Sequence, residues 1–246
     1  MRNAAYYKHL ARRRLTGQRI GFAVAFGILL ATGSFLLLGG EATARVAGLV
    51  HGSWRYDGLN GALALIGFLL LTPLRFGIRR RTFRLARGQE LPVSEIFSPF
   101  GSAALLVRLW VLKLLVRGRG ALWGMGPYAA SGVLLALLKR GAADERVIAV
   151  GCVGCLALGF GLSTLARAKS FLCEYLLTEK PGESPWRLFR ASDRRMQGRI
   201  ARLFALRLHF AGWFFLGLVG VTLPSILTYY EMTAASLAAD WMEESA

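Results

Sequence analysis

The chain has 246 residues, of which 54% are hydrophobic and only 18% are charged. A soluble domain is nearer about 45–50% apolar and about 25% charged, so this composition excludes an ordinary soluble enzyme and favours an integral membrane protein. The net charge of +17 comes mainly from arginines that cluster between apolar blocks. Such clusters are typical of cytoplasmic loops beside anionic lipid headgroups, so we expect a lipid bilayer as partner and no nucleic acid.

The first predicted span, residues 20–40, follows a basic N-terminal segment without any acidic side chain. This charge pattern predicts a cytoplasmic N-terminus. The block is long enough to cross a hydrocarbon core of about 30 Å. It is also longer than the apolar region of a cleaved signal peptide, which has about 7–15 residues, so we expect a retained span. Segment 41–58 then forms a predicted external loop.

The second predicted span, residues 59–78, returns to a cytoplasmic cluster of arginines, with Gly88 as a helix stop. The next segment is ambiguous, because residues 101–116 are apolar apart from Arg108 and Lys113. They could span the membrane or lie in its interface. If they span, the later basic segment 167–207 would be external, against the positive-inside rule. We therefore predict an interfacial helix at 95–117.

Four further spans are predicted at residues 121–138, 147–166, 203–222 and 225–242, with a short external turn at 139–146. The sequence thus predicts an all-α bundle of six spans in one domain. Both termini are expected in the cytoplasm of a cell with a bacterial-type inner membrane.

A second interfacial helix is predicted at 185–202, where Ser184 would cap the helix and Pro185 would be its first residue. Its apolar residues project onto one arc, which is typical of a helix on a membrane surface. Asp193 also projects onto this arc, and we expect it to pair with Arg190 or with an arginine of a neighbouring loop. Five arginines on the other faces are the predicted contacts with anionic lipid or a partner protein: Arg187, Arg190, Arg194, Arg195 and Arg199.

The C-terminal third resembles a known family. The resemblance rests on a serine and a Met-x-Gly within 192–198, on Leu203-Phe204, and on the Phe-x-Gly-Trp of 210–213. This pattern is similar to a bacterial integral membrane family known as domain of unknown function nine hundred and seventy-five, and it is specific mainly over residues 184–242. The resemblance implies a multi-span membrane protein and brings no activity with it.

No residue pattern specifies a reaction, a metal or a cofactor. Cys152 and Cys155 form a CxxC, but they lie in an apolar span, and Cys173 would be about 30 Å further along a continuous helix. We interpret all three as packing residues. His209 is interpreted as an interfacial residue. The sequence contains no Ser/His/Asp set, paired acids, metalloprotease motif or phosphate-binding loop, so we expect a protein that is not an enzyme.

Glu231 is the intramembrane polar candidate, because it falls about two turns into the last predicted span. A carboxylate at such a position must be protonated, paired or exposed to internal water. It could therefore carry ions or protons, or it could hydrogen-bond within the bundle. The sequence favours the structural role.

The leading functional hypothesis is a non-enzymatic membrane bundle whose basic cytoplasmic face binds anionic lipid or a partner protein, alone or as an oligomer. An alternative is a small-molecule or ion transporter using Glu231, supported by a weak internal repeat of span, surface helix and span. A membrane-embedded enzyme is the third hypothesis, and no acid–base pair supports it.

Overall fold

The computed structural model describes residues 4–46, 48, 53–139, 145–217 and 223–244. Over these residues the chain forms nine α-helices and one 3₁₀ helix and no strand, which confirms the predicted all-α class. The 3₁₀ helix is Val93–Gly101, and the α-helices are, in order, α1 Ala4–Arg14, α2 Arg19–Val46, α3 Trp54–Ala86, α4 Ala103–Lys139, α5 Glu145–Ala168, α6 Cys173–Glu179, α7 Pro185–Arg195, α8 Ile200–Gly217 and α9 Leu223–Glu243.

Three helical stretches are long and apolar enough to cross a membrane: Trp54–Ala86, Ala103–Leu138 and Arg146–Glu179. The first two have 33 and 36 residues. At 1.5 Å per residue each is about 50 Å long, well beyond the hydrocarbon core of about 30 Å. A fourth apolar stretch, Gly21–Leu36, is shorter. The described residues therefore contain membrane-compatible helices, and the count of six spans stays a prediction.

Parts of the predicted external segments lie outside the described residues. Helix α2 continues to Val46, beyond the predicted end of the first span at 40, and α3 begins at Trp54. Within the predicted loop 41–58, residues 47 and 49–52 are not among those described. The same holds for 140–144 in the predicted turn 139–146, and for 218–222 at the end of the predicted span 203–222.

The segment predicted as an interfacial helix at 95–117 followed by a span at 121–138 is built differently. Residues Val93–Gly101 form the 3₁₀ helix, and α4 then runs from Ala103 to Lys139 without a break. Gly118 and Gly120 do not end the helix, because helical geometry tolerates an isolated glycine at a cost of about 1 kcal/mol. The N-cap of the 3₁₀ helix is Pro92.

The helix predicted at 185–202 is shorter than expected. Helix α7 ends at Arg195, and α8 begins at Ile200. Gly198 between them has a φ of +73°, a left-handed conformation that glycine adopts without steric cost and that cannot continue an α-helix. Ser184 is the N-cap and Pro185 follows it, as predicted, but the Ser184 hydroxyl makes no capping hydrogen bond.

The described residues group into two compact units. The first unit comprises Met1–Trp110, Glu174–Gly182 and Phe204–Ala246. At its centre lies α9, which packs against α1, α2 and α3. From Glu231 to Met242 nearly every side chain of α9 is buried. Its small residues permit close helix packing, and its buried hydroxyls bond to their own backbone, as Ser236 does to the Met232 carbonyl at 2.9 Å.

The C-terminal half of α3 is buried in this unit, whereas its N-terminal half exposes apolar side chains such as Leu65 and Leu70. The 3₁₀ helix packs so closely on α3 that a Cβ on Gly77 would lie 1.8 Å from the Ile96 carbonyl oxygen. Helix α3 ends where Gly88 takes a φ of +80°, which confirms the predicted stop.

The second unit comprises Val111–Cys173 and Glu183–Leu203. Its helices α4 and α5 meet at Tyr128. The ring of Tyr128 packs so closely on both helices that a Cβ on Gly124 or on Gly159 would lie only 2.7 Å from it. Cys152 is buried in the same contact between α4 and α5, and its thiol donates to the Ser131 carbonyl at 3.7 Å. Gly124 is therefore a site of close packing.

Candidate functional site

Glu231 is paired. It is 4% exposed and accepts hydrogen bonds from the guanidinium of Arg79 on α3 through both of its oxygens. The Nε–Oε2 distance is 3.1 Å and the Nη2–Oε1 distance is 3.0 Å. Such a two-point contact between arginine and a carboxylate fixes the orientation of both groups. Of the three states predicted for this carboxylate, the structure shows the paired one.

Arg79 bridges two glutamates. Its Nη1 lies 3.0 Å from the Oε1 of Glu174 on α6, which is also buried. Arg75, one helical turn before Arg79, reaches Glu231 at 3.9 Å with a half-exposed side chain. Two carboxylates thus face two guanidinium groups, so the cluster is close to electrically neutral. Neutrality is the condition under which buried charges are tolerated.

Aromatic residues adjoin both glutamates of this cluster in the sequence. Tyr175 follows Glu174 on α6 and is 1% exposed, and its ring packs on Phe83 of α3 with centroids 5.2 Å apart. Tyr229 and Tyr230 on α9 both contact Phe210. Because Glu174 and Glu231 are both buried, the attraction between Arg79 and these glutamates is stronger than it would be at the surface.

The position of Arg79 along α3 shows where the cluster lies relative to the apolar part of that helix. Residues 58–74 carry no charge, and Arg79 is about one turn past their end. Glu231 therefore sits level with the boundary of the apolar stretch of α3. The sequence could not reveal this pairing, because the two residues are 152 positions apart. The one sign of this cluster in the sequence is the four-residue spacing of Arg75 and Arg79, which puts both arginines on one face of the helix.

The buried face of α7 matches the predicted one only in part. Leu188 and Ser192 are buried within the helix, and Met196, its C-cap, is buried four residues after Ser192. The Ser192 hydroxyl donates to the Lys169 carbonyl at 3.0 Å, which gives this face a polar anchor. Within the predicted apolar arc, Met196 and Leu203 are buried, whereas Trp186 is 48% exposed. The members of that arc are Trp186, Phe189, Met196, Ile200, Leu203 and Phe204.

The outward aromatic residues of α7 alternate with arginines. Arg190 lies over the Trp186 ring at 4.9 Å, Trp186 stacks on Phe189 at 5.8 Å, and Arg119 of α4 lies over Phe189 at 5.1 Å. Arg119 also forms an ion pair with Asp193 at 3.0 Å. Asp193 therefore pairs with an arginine as predicted, but the partner lies in helix α4 instead of being Arg190 or a loop residue.

The five predicted contact arginines differ in exposure. Arg187, Arg190 and Arg194 are exposed on α7, whereas Arg195 is half-buried and Arg199 lies beyond the helix end, also half-buried. We call the first three the α7 arginines. Together with Trp186 they form a basic and aromatic surface, and such side chains favour the headgroup level of a membrane.

The remaining candidates are His209 and two of the cysteines. His209 is exposed on α8. Cys155 is half-buried, and Cys173 is buried at the start of α6. Within the described part of the chain, no three His, Cys, Asp or Glu side chains are grouped as metal ligands would be.

The model of a family described as "Protein of unknown function (DUF975)" matches residues 1–237. The match confirms the resemblance found in the C-terminal third and extends it over nearly the whole chain. No curated protein and no solved structure shows significant similarity to the chain.

Proposed function

Because the chain belongs to the DUF975 family of proteins of unknown function, we propose its role from the two sites described above. The protein is a multi-pass membrane protein without enzymatic activity, and its basic cytoplasmic face binds anionic lipid or a partner protein. The observation that carries this proposal is the exposure of the α7 arginines beside Trp186. Ser192 and Asp193 hold the other sides of the same helix, so this surface is presented in a fixed orientation.

Glu231 supports the same proposal through its bonding. A carboxylate that carries protons or ions changes partners during a transport cycle. Glu231 is instead held at both oxygens by Arg79, which also holds Glu174. This arrangement suits a residue that joins α3, α6 and α9, and it favours the bundle over the transporter.

Removing the α7 arginines is expected to abolish a preference for anionic lipid. Each basic side chain near an anionic surface contributes about 1 kcal/mol, so three contribute roughly 3 kcal/mol before screening. Changing Arg187, Arg190 and Arg194 to alanine should weaken binding of phosphatidylglycerol about tenfold to a hundredfold. Native mass spectrometry of the full-length protein in detergent measures this binding, with phosphatidylcholine as the neutral reference.

The matched control changes the same three residues to lysine, which keeps the charge and should keep the lipid preference. If the alanine variant binds phosphatidylglycerol like the wild type, α7 is not the lipid-binding surface. The wild type could instead show no lipid preference while the surface of the α7 arginines cross-links to another protein. That result would assign this surface to a protein partner.

The topology gives a second expected result. A variant with alanine at Cys152, Cys155 and Cys173 can carry one new cysteine at position 57 or 190. In intact cells a membrane-impermeant maleimide should label Asp57→Cys, which is exposed at the start of α3. It should label Arg190→Cys only after the membrane is permeabilised, because basic segments stay in the cytoplasm. Labelling of position 190 from outside would contradict the proposed orientation.

A further inference from the structure

Arg81 on α3 is a buried cation whose partners are all neutral. It is 3% exposed. Its Nε donates to the Leu91 carbonyl at 3.1 Å, its Nη2 donates to the Gln18 side-chain oxygen at 2.5 Å, and its guanidinium lies over the Phe22 ring at 4.4 Å. No carboxylate of the described residues forms an ion pair with it. A full charge buried in this way favours the binding of an anion.

One donor of Arg81 points to where that anion could bind. Its Nη1 is buried and has no hydrogen-bond partner among the described residues. The same atom lies 3.7 Å from the position that a Cβ on Gly21 would occupy. Gly21 belongs to the first turn of α2, a helix of 28 residues. Because the N-terminus of a helix carries partial positive charge, the unpaired guanidinium donor and this first turn both favour an anion at the same place.

The position of this site along its helices indicates the kind of anion. The apolar block 20–40 begins at the first turn of α2, and the charge-free stretch 58–74 of α3 ends about two turns before Arg81. Both helices thus reach the site where their apolar stretches give way to basic sequence, which is the level of lipid phosphates. Val93 covers the site 3.3 Å from the same Cβ position and is itself 45% exposed, so the site lies just below the surface.

We propose that Arg81 and the first turn of α2 bind the phosphate of a membrane phospholipid at the point where Gly21 carries no side chain beside Nη1. The inference rests on the proposed membrane location, but it does not involve α7. Because the phosphate is the group recognised, the site accepts zwitterionic as well as anionic phospholipids. A free phosphate ion offers the same chemistry without acyl chains.

The test uses the full-length protein in detergent, stripped of lipid, and measures bound lipid by native mass spectrometry beside thermal stability. We expect phosphatidylcholine and phosphatidylglycerol to bind and stabilise the wild type, whereas diacylglycerol, which lacks the phosphate, does not. Arg81→Gln should weaken this binding at least tenfold. Arg84→Gln on the same helix, the matched control, should leave it unchanged. Inorganic phosphate that stabilises as strongly as phospholipid would overturn the lipid assignment.

A second variant serves if Arg81→Gln does not fold. Gly21→Ala keeps Arg81 and favours the helix, but its methyl group occupies the space beside Nη1, so binding should again fall at least tenfold. Gly27→Ala in the same helix meets no atom within 4 Å and should bind like the wild type. Unchanged binding by Gly21→Ala overturns the proposal. The alanine variant of the α7 arginines should retain the lipid bound at Arg81. A wrong assignment of the α7 surface and a wrong assignment of the Arg81 site would therefore give different results.

Discussion

Glu231→Leu is expected to destabilise the protein by about 3–5 kcal/mol, because it leaves the buried Arg79 with one carboxylate partner fewer. Glu231→Gln should cost less, since its amide oxygen still accepts a hydrogen bond from Arg79 and Glu174 still supplies a negative charge. Thermal unfolding of both variants in detergent, beside the wild type, measures the difference. Glu90→Leu removes an exposed carboxylate and should be close to silent.

A combined variant separates the loss of a charge pair from the loss of packing. Changing Arg79 to methionine together with Glu174 and Glu231 to leucine leaves none of the three buried charges. It should recover most of the lost stability, because apolar replacement of a whole buried ion set is often neutral.

If Glu231→Gln is as stable as the wild type but abolishes a proton-coupled flux, Glu231 is a transport residue and the structural role is wrong.

Gly77→Ala is expected to destabilise the protein by about 3 kcal/mol or more, at the upper end of the cost of overpacking. Its methyl group would meet the backbone of Ile96, with distances of 1.8 Å to the carbonyl oxygen and 2.7 Å to the carbonyl carbon. A side chain could rotate away from such a contact, whereas a backbone cannot. The 3₁₀ helix would therefore have to move off α3.

Gly61→Ala is the matched control for this prediction, because it lies in the same helix and meets no atom within 4 Å. It should be neutral or should stabilise by up to about 1 kcal/mol, as alanine favours a helix more than glycine does. Equal melting temperatures for the two alanine variants would show that the 3₁₀ helix does not pack on Gly77 as described.

The helices could be predicted from the sequence because each depends on local patterns. The apolar block 147–166 became α5, and the glycine at 88 ended α3. The helix ends that were predicted wrongly depended on weaker signals in the sequence. The interfacial helix predicted at 95–117 and the span predicted at 121–138 are one continuous α4, in which neither Gly118 nor Gly120 has a positive φ. The left-handed Gly198, in contrast, divides a stretch whose apolar periodicity continues across it.

The candidate site could be predicted only in part, because its contacts join distant segments. An unpaired carboxylate in an apolar block pointed to Glu231, but nothing local identified Arg79 or Glu174 as its partners. The arginines of α3 were interpreted only as a topology signal. For α7, periodicity located the basic surface, yet it placed Ser192 outside the buried face. A small hydroxyl residue can be buried when a backbone carbonyl such as that of Lys169 accepts its proton.

The central position of α9 affects how the protein is made. Helix α9 follows α3 by about 140 residues, so at translation rates of about 5–20 residues per second it emerges roughly 7–30 s later. Arg79 lacks both carboxylates until α6 is made, and it lacks Glu231 until α9 follows. Its positive charge is therefore uncompensated during the first part of this interval and only partly compensated during the rest. The ion pairs that join α3, α6 and α9 can be completed only near the end of synthesis.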